Sequence, residues 1–184
     1  MLTFIRAGLA AALVLLLPVL AAQPAAAEKA FQRDDLADAA IKLEAKIKTE
    51  AGAVTKSAAT LRRDADAAFA RNDLKAGLQV LGQIVVAAPN DGANWLRLAK
   101  SVLQSRWSND QEHFALLDRA TTAAYIAYQR TSNAGEEAES LLVMARTFAD
   151  RNMWRPSLDA MRASLELREM TSRLSASSAG LLVR

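Results

Sequence analysis

The stretch that most constrains this chain is residues 80–99, VLGQIVVAAPNDGANWLRLA. Leu81, Ile84, Val85 and Ala88 recur at helical spacing and run into Pro89-Asn90-Asp91-Gly92. Proline cannot continue a helix interior, while Asn, Asp and Gly supply a turn and the cap of a following helix. Trp95, Leu98 and Ala99 then open a second apolar stripe. Two helices joined this tightly, with small residues on both sides of the turn, form a helix–turn–helix unit.

The same pattern fills the chain. Leu36, Ala40, Leu43 and Ile47 predict a helix over 34–51, with Asp34 and Asp35 at its positive end, Lys48 at its negative end and Gly52 as its stop. Ser57 or Thr60 caps a second helix running to Arg71, and its partner covers 74–88. The Trp95 helix extends to about Ser105, and a long helix covers 112–130. Glu136 and Glu137 begin a helix ending at Asp150, followed by a last one over 154–169. Apolar residues are 52% but aromatics only 5%, which favours helices packed through small side chains over a sheet core.

An internal repeat supports this parsing. Leu61 and Leu141, Ala65 and Ala145, Arg71 and Arg151, Asn72 and Asn152, and Leu78 and Leu158 all stand 80 positions apart. Trp95 follows Leu61 by 34 positions, the period of tetratricopeptide (TPR) repeats. The middle unit therefore carries extra residues, most naturally in 104–113. The expected architecture is all-α: a right-handed αα-hairpin solenoid of TPR-like helix pairs. A leading helix and connection occupy 28–57, three degenerate pairs 58–169, and a Ser-rich, frayed tail 170–184.

Residues 1–27 read as a cleaved signal peptide: Arg6, an apolar run from 7 to 20, and Ala25-Ala26-Ala27 as the cleavage motif. A retained anchor is the rival reading, but the run holds Pro18 and falls short of the about 20 apolar residues a span needs. The expected destination is the bacterial periplasm or the medium, with no stable membrane span after cleavage. Basic and acidic residues number 23 and 20, for a formal net charge of +3, with the signs mixed rather than gathered as nucleic-acid binding would want. There is no cysteine, which removes disulfides, thiolate nucleophiles and Cys-ligated metals.

No catalytic constellation, cofactor site or metal site emerges. His113 is the only histidine, too few for an ordinary zinc site. Glu136, Glu137 and Glu139 resemble paired carboxylates but occupy a helix's first turns, where acidic side chains stabilise the N-terminus in any case. Trp95 and Trp154 are expected in the core, and Trp107, in the insertion, on the surface. In a helix-pair solenoid the first helix of each pair lines the concave face. Arg62, Asp66, Phe69, Lys100, Leu103, Glu139 and Arg146 would fall there and, with Trp107, form the candidate surface for a protein or peptide partner. Leu158, Met161 and Leu165 on the last helix are expected to be partly uncovered and to invite self-association.

Beyond periodicity, the wording of the chain resembles a known family. AFQRDDLADAAIKLEAKIK, LRRDADAAF, VLGQIV with APND, WLRLA, TAAYIAYQRT, GEEAE and FADRNMWRPSLDAMRASLELRE together resemble the N-terminal helical region of bacterial alpha-2-macroglobulin-like proteins, over about residues 30–169. The resemblance implies a periplasmic or surface setting and, in the family, β-sandwich domains downstream as possible partners of the helical region. Those proteins are protease traps, some with a Cys-x-Glu-Gln thioester. This chain has neither the cysteine nor that motif, so trapping chemistry does not carry over. The expectation is an exported interaction module, with a small hydrolase or a truncated, non-functional remnant as alternatives.

Overall fold

The computed structural model describes residues 29–106 and 108–181. The expected signal peptide and Trp107 lie outside these residues. Among them the chain is all-helical: α1 (Asp34–Ala51), α2 (Ala58–Ala70), α3 (Leu74–Ala87), α4 (Gly92–Val102), α5 (Asp110–Arg130), α6 (Ala134–Asp150) and α7 (Trp154–Leu181). No described helix is long and apolar enough to cross a membrane.

Local chemistry explains the starts. The Ser57 side chain accepts from the Thr60 N–H at 3.2 Å, and Asp73 from Ala76 at 3.0 Å. Asp91 accepts from Ala93 at 3.1 Å, and Asn133 from both Gly135 and Glu136. Asn109 accepts from Glu112 at 2.9 Å while the Glu112 carboxylate takes the Ser108 N–H at 2.8 Å, a reciprocal cap. Those bonds to Ser108 hold the Glu112 carboxyl below the usual carboxylate range.

Helices pair consecutively, α2 with α3, α4 with α5 and α6 with α7, while α1 lies across α3 and α5. The 80-residue repeat is geometrically real at the turns. Asn72 and Asn152 both adopt the left-handed conformation, φ 58° and 56°. Each donates its N–H three residues back at 2.9 Å, and the next residue closes a five-residue loop, Asp73 to Ala68 and Met153 to Phe148. Asn tolerates this region better than any other non-glycine residue except Asp and His, which is why the Arg-Asn pair recurs there. Leu61, Ala65 and Ala68 are buried on α2, as are Leu141, Ala145 and Phe148 on α6.

Three boundaries differ from the sequence expectation. α4 ends at Val102 rather than Ser105, with turns continuing to Gln104. α5 begins at Asp110, because Asn109 rather than a later residue is its cap. The tail expected to fray after Glu169 instead continues α7 to Leu181. That segment holds no Pro, and Gly appears only at position 180, so nothing in it stops the helix. Thr171 bonds back to the Leu167 carbonyl at 2.8 Å, and Arg173 pairs with Glu169 one turn earlier.

The segment before α1 was not singled out by periodicity, yet it straps the third pair to the second. Phe31 is buried, meets Tyr128 edge-on at 6.4 Å, and donates its N–H to the Tyr128 hydroxyl at 3.1 Å. Lys29 pairs with Glu137 and donates to the Thr131 carbonyl at 2.8 Å. Arg33 stacks over Phe148 at 5.2 Å and forks onto Asp35, whose carboxyl is thereby lowered.

Burial pushes the Tyr128 phenol above its ordinary 10.0, against the lowering effect of the Phe31 N–H; the Glu137 charge adds to the rise. The unfolded chain therefore releases this proton at lower pH than the folded one. The associated stability is complete below pH 10.0 and is lost as pH rises through the folded value. Melting midpoints followed through that window should fall for the native chain, and less steeply for Tyr128→Phe. That variant should itself cost about 1 kcal/mol at neutral pH by leaving the Phe31 N–H without its acceptor.

Candidate interaction faces

The first helices of the three pairs do bring the sequence-selected charges onto one face, where they engage each other. Arg62 on α2 reaches Asp91 at 2.5 Å and the Asn94 side-chain carbonyl at 3.3 Å. Asp66 on α2 meets Arg97 on α4 at 2.5 Å, and Lys100 on α4 meets Glu139 on α6 at 2.6 Å. Arg146 lies 3.9 Å from Asp150 one turn on. The face is a seam of cross-helix ion pairs, which neutralises most of the charge that a partner would read. Each is exposed enough to contribute only about 0–1 kcal/mol.

The apolar members are placed differently. Phe69 is partly buried with Arg97 5.5 Å over its ring, and it occupies the space a Cβ on Gly77 would need. Leu103 is half-buried against the core. Between Phe69, Lys75, Arg97, Gln104, Arg106 and Leu116 opens a cleft of about 1000 Å³, wide and open to solvent. Periodicity could not have found it, since it arises where the loop after α4 lifts away from the α2–α3 turn.

The acidic trio divides among separate structural tasks. Glu136 accepts from the Thr131 hydroxyl at 2.6 Å, Glu137 pairs with Lys29, and Glu139 pairs with Lys100. His113 stacks on Phe114 at 6.0 Å and borders a small cleft with Arg146 and Asp150. Among the described residues no three of His, Cys, Asp or Glu gather at metal-binding distance.

Trp95 and Trp154, both expected in the core, part ways. Trp95 is 2% exposed, but Trp154 is 62% exposed and is corrected to the surface. The reason is its position at the head of α7. Ser157, Ala160 and Ser164 form the face that touches α6, and Trp154 lies outside it. The serine hydroxyls donate to the Ala145 and Ala138 carbonyls at 2.8 and 2.9 Å, and small side chains allow that close approach.

Beside that buried face runs an exposed apolar stripe: Trp154, Leu158, Met161 and Leu165, between 44% and 62% exposed. Their equivalents 80 positions earlier are Leu74, Leu78, Leu81 and Val85 on α3. Leu81 and Val85 are fully buried there, because α1 and α4 also pack on α3. Among the described elements α7 packs on α6 alone.

No family model matches the chain, and no match is found among curated proteins or solved structures.

Proposed function

We propose that this chain is an exported protein-interaction module, a right-handed αα-hairpin solenoid of three TPR-like units preceded by a strapping helix. The observation that carries the reading is the stripe Trp154, Leu158, Met161 and Leu165. Its counterpart in the first pair is core, yet here it meets solvent. Contiguous exposed apolar surface on a folded domain ordinarily marks an interaction site. The matching left-handed Asn72 and Asn152 turns support the repeat reading.

Export to the periplasm by a cleaved signal peptide fits the composition of residues 1–27. The resemblance to the leading helical region of bacterial alpha-2-macroglobulin-like proteins supports a partner that is itself a protein domain. Without a cysteine the chain cannot form a thioester of its own.

The test is capture from periplasmic extract by the mature chain, compared with Met161→Glu/Leu165→Glu. Both positions are exposed, so the double variant should melt within about 1 kcal/mol of the native chain. A specific partner retained by the native chain and lost by the variant is the expected result. Identical capture by both, or none by either, would overturn the reading.

A further inference from the structure

We propose that the α7 stripe is completed by a single amphipathic helix with acidic flanks, seated as α4 is seated on α3; this rests on the interaction reading above. The internal repeat narrows the shape of the occupant. α3 is covered by two helices, and α1 arrives over Gly82, where an added Cβ would lie 3.6 Å from the Ile47 side chain. The residue at that position on α7 is Arg162. A guanidinium stem there blocks an approach of the α1 kind. The apolar line itself is preserved residue for residue, as Leu74, Leu78, Leu81 and Val85 become Trp154, Leu158, Met161 and Leu165. The occupant therefore takes the α4 position and leaves the α1 position empty.

Charge narrows its chemistry. At about 3.6 residues per turn, Arg155 and Arg162 line one border of the stripe, and Arg168 stands at its far end. None of the three has an ion-pair partner among the described residues, whereas Arg62, Arg97, Lys100, Arg130 and Arg151 elsewhere in the array are all paired. A helix lying on the stripe would bring its flanking side chains beside these guanidinium groups. Glu or Asp there would complete the pattern of cross-helix pairs that ties the rest of the array together. A second copy of α7, packed antiparallel about the middle of the stripe, would instead set Arg155 close to Arg162 of the other helix. Like charges across a helix pair disfavour that arrangement.

The experiment uses two synthetic amphipathic helical peptides with the same Leu/Ala stripe, one flanked by Glu and the other by Lys, titrated into the mature chain. Fluorescence anisotropy should show the Glu peptide binding at least about tenfold more tightly than the Lys peptide, with the advantage shrinking as salt rises. Arg155→Glu/Arg162→Glu should reverse that preference. Leu165→Glu should abolish binding of both. Trp154 emission should shift to the blue on binding, and this shift should vanish in Trp154→Phe. Equal affinity for the two peptides, or no binding of either while stripe-dependent capture of a natural partner persists, would overturn the acidic helix and leave the interaction reading standing. Sedimentation showing a dimer that Met161→Glu/Leu165→Glu dissolves and the Glu peptide fails to displace would assign the stripe to a second copy. Loss of stripe-dependent capture itself would bring down the reading on which the inference rests.

Discussion

Trp95→Ala should lower the unfolding free energy by about 3–5 kcal/mol, the range for removing a buried aromatic side chain. On a domain of this size that is a fall of roughly 10 °C in the melting midpoint. The residue holds more than its own volume. Its indole N–H donates to the Pro89 carbonyl at 2.8 Å, and that carbonyl also receives Arg130 at 2.6 Å. Arg130 in turn lies 5.5 Å over the indole ring and pairs with Glu44 on α1 at 2.7 Å. One side chain thus fastens the α3–α4 turn to α1 and α5, and truncation opens a cavity where four helices meet. Trp95→Phe should cost less, because Arg130 still satisfies the Pro89 carbonyl. Trp154→Ala should stay within about 1 kcal/mol of the native chain, as its ring is mostly in solvent. Urea unfolding of the three variants checks the order. A Trp95→Ala protein as stable as Trp154→Ala would refute the packing described.

Gly92→Ala should be the second most damaging single change, at about 3 kcal/mol, the upper part of the range for overpacking. A Cβ there would sit 2.8 Å from both the Thr131 Cβ and the Thr131 nitrogen, and 2.9 Å from the Ala127 carbonyl oxygen. Two of those three atoms are main chain at the C-terminus of α5, so relief requires moving one helix end away from another. The Thr131 N–H bonds to the same Ala127 carbonyl at 2.9 Å, and its hydrogen exchange should quicken in the variant. Gly135→Ala is the control. Its nearest obstacle is the Asn133 side-chain oxygen at 3.1 Å, a group that can give way. Thermal melts showing equal losses for the two alanines would contradict the close α4–α5 contact.

Gly92 also shows where reading along the chain misleads. In the run Pro-Asn-Asp-Gly it looks like a turn glycine, yet only Gly52 among the described glycines has a positive φ. Gly92 is the first residue of α4, capped by Asp91, and is there because another helix end comes too near for any side chain. A sequence carries the signature of conformational freedom and of close approach in the same letter.

The unmatched charges teach a similar lesson. Arg62, Asp66, Lys100 and Glu139 were correctly gathered onto one face by helical spacing. Their commitment to each other depends on how adjacent helices are set, a distance that periodicity does not contain. Trp154 was misplaced because its letter is apolar, although the face it heads has no neighbour among the described helices. The strap through Phe31 and Lys29 was invisible for a third reason. Its partners, Tyr128 and Glu137, lie 97 and 108 residues away, and a short extended segment has no period to read.

What the sequence determined by itself is local. Apolar stripes at helical spacing, side chains able to cap, an Asn able to turn left-handed and the absence of cysteine each act within a few residues. Together they were enough for the all-α class, the seven helices and the doubled Arg-Asn turn. Only the tertiary structure decided which stripe is covered and which is not. Burial is a property of what packs against a residue, and Leu81 and Met161 occupy the same place in their repeats with opposite fates.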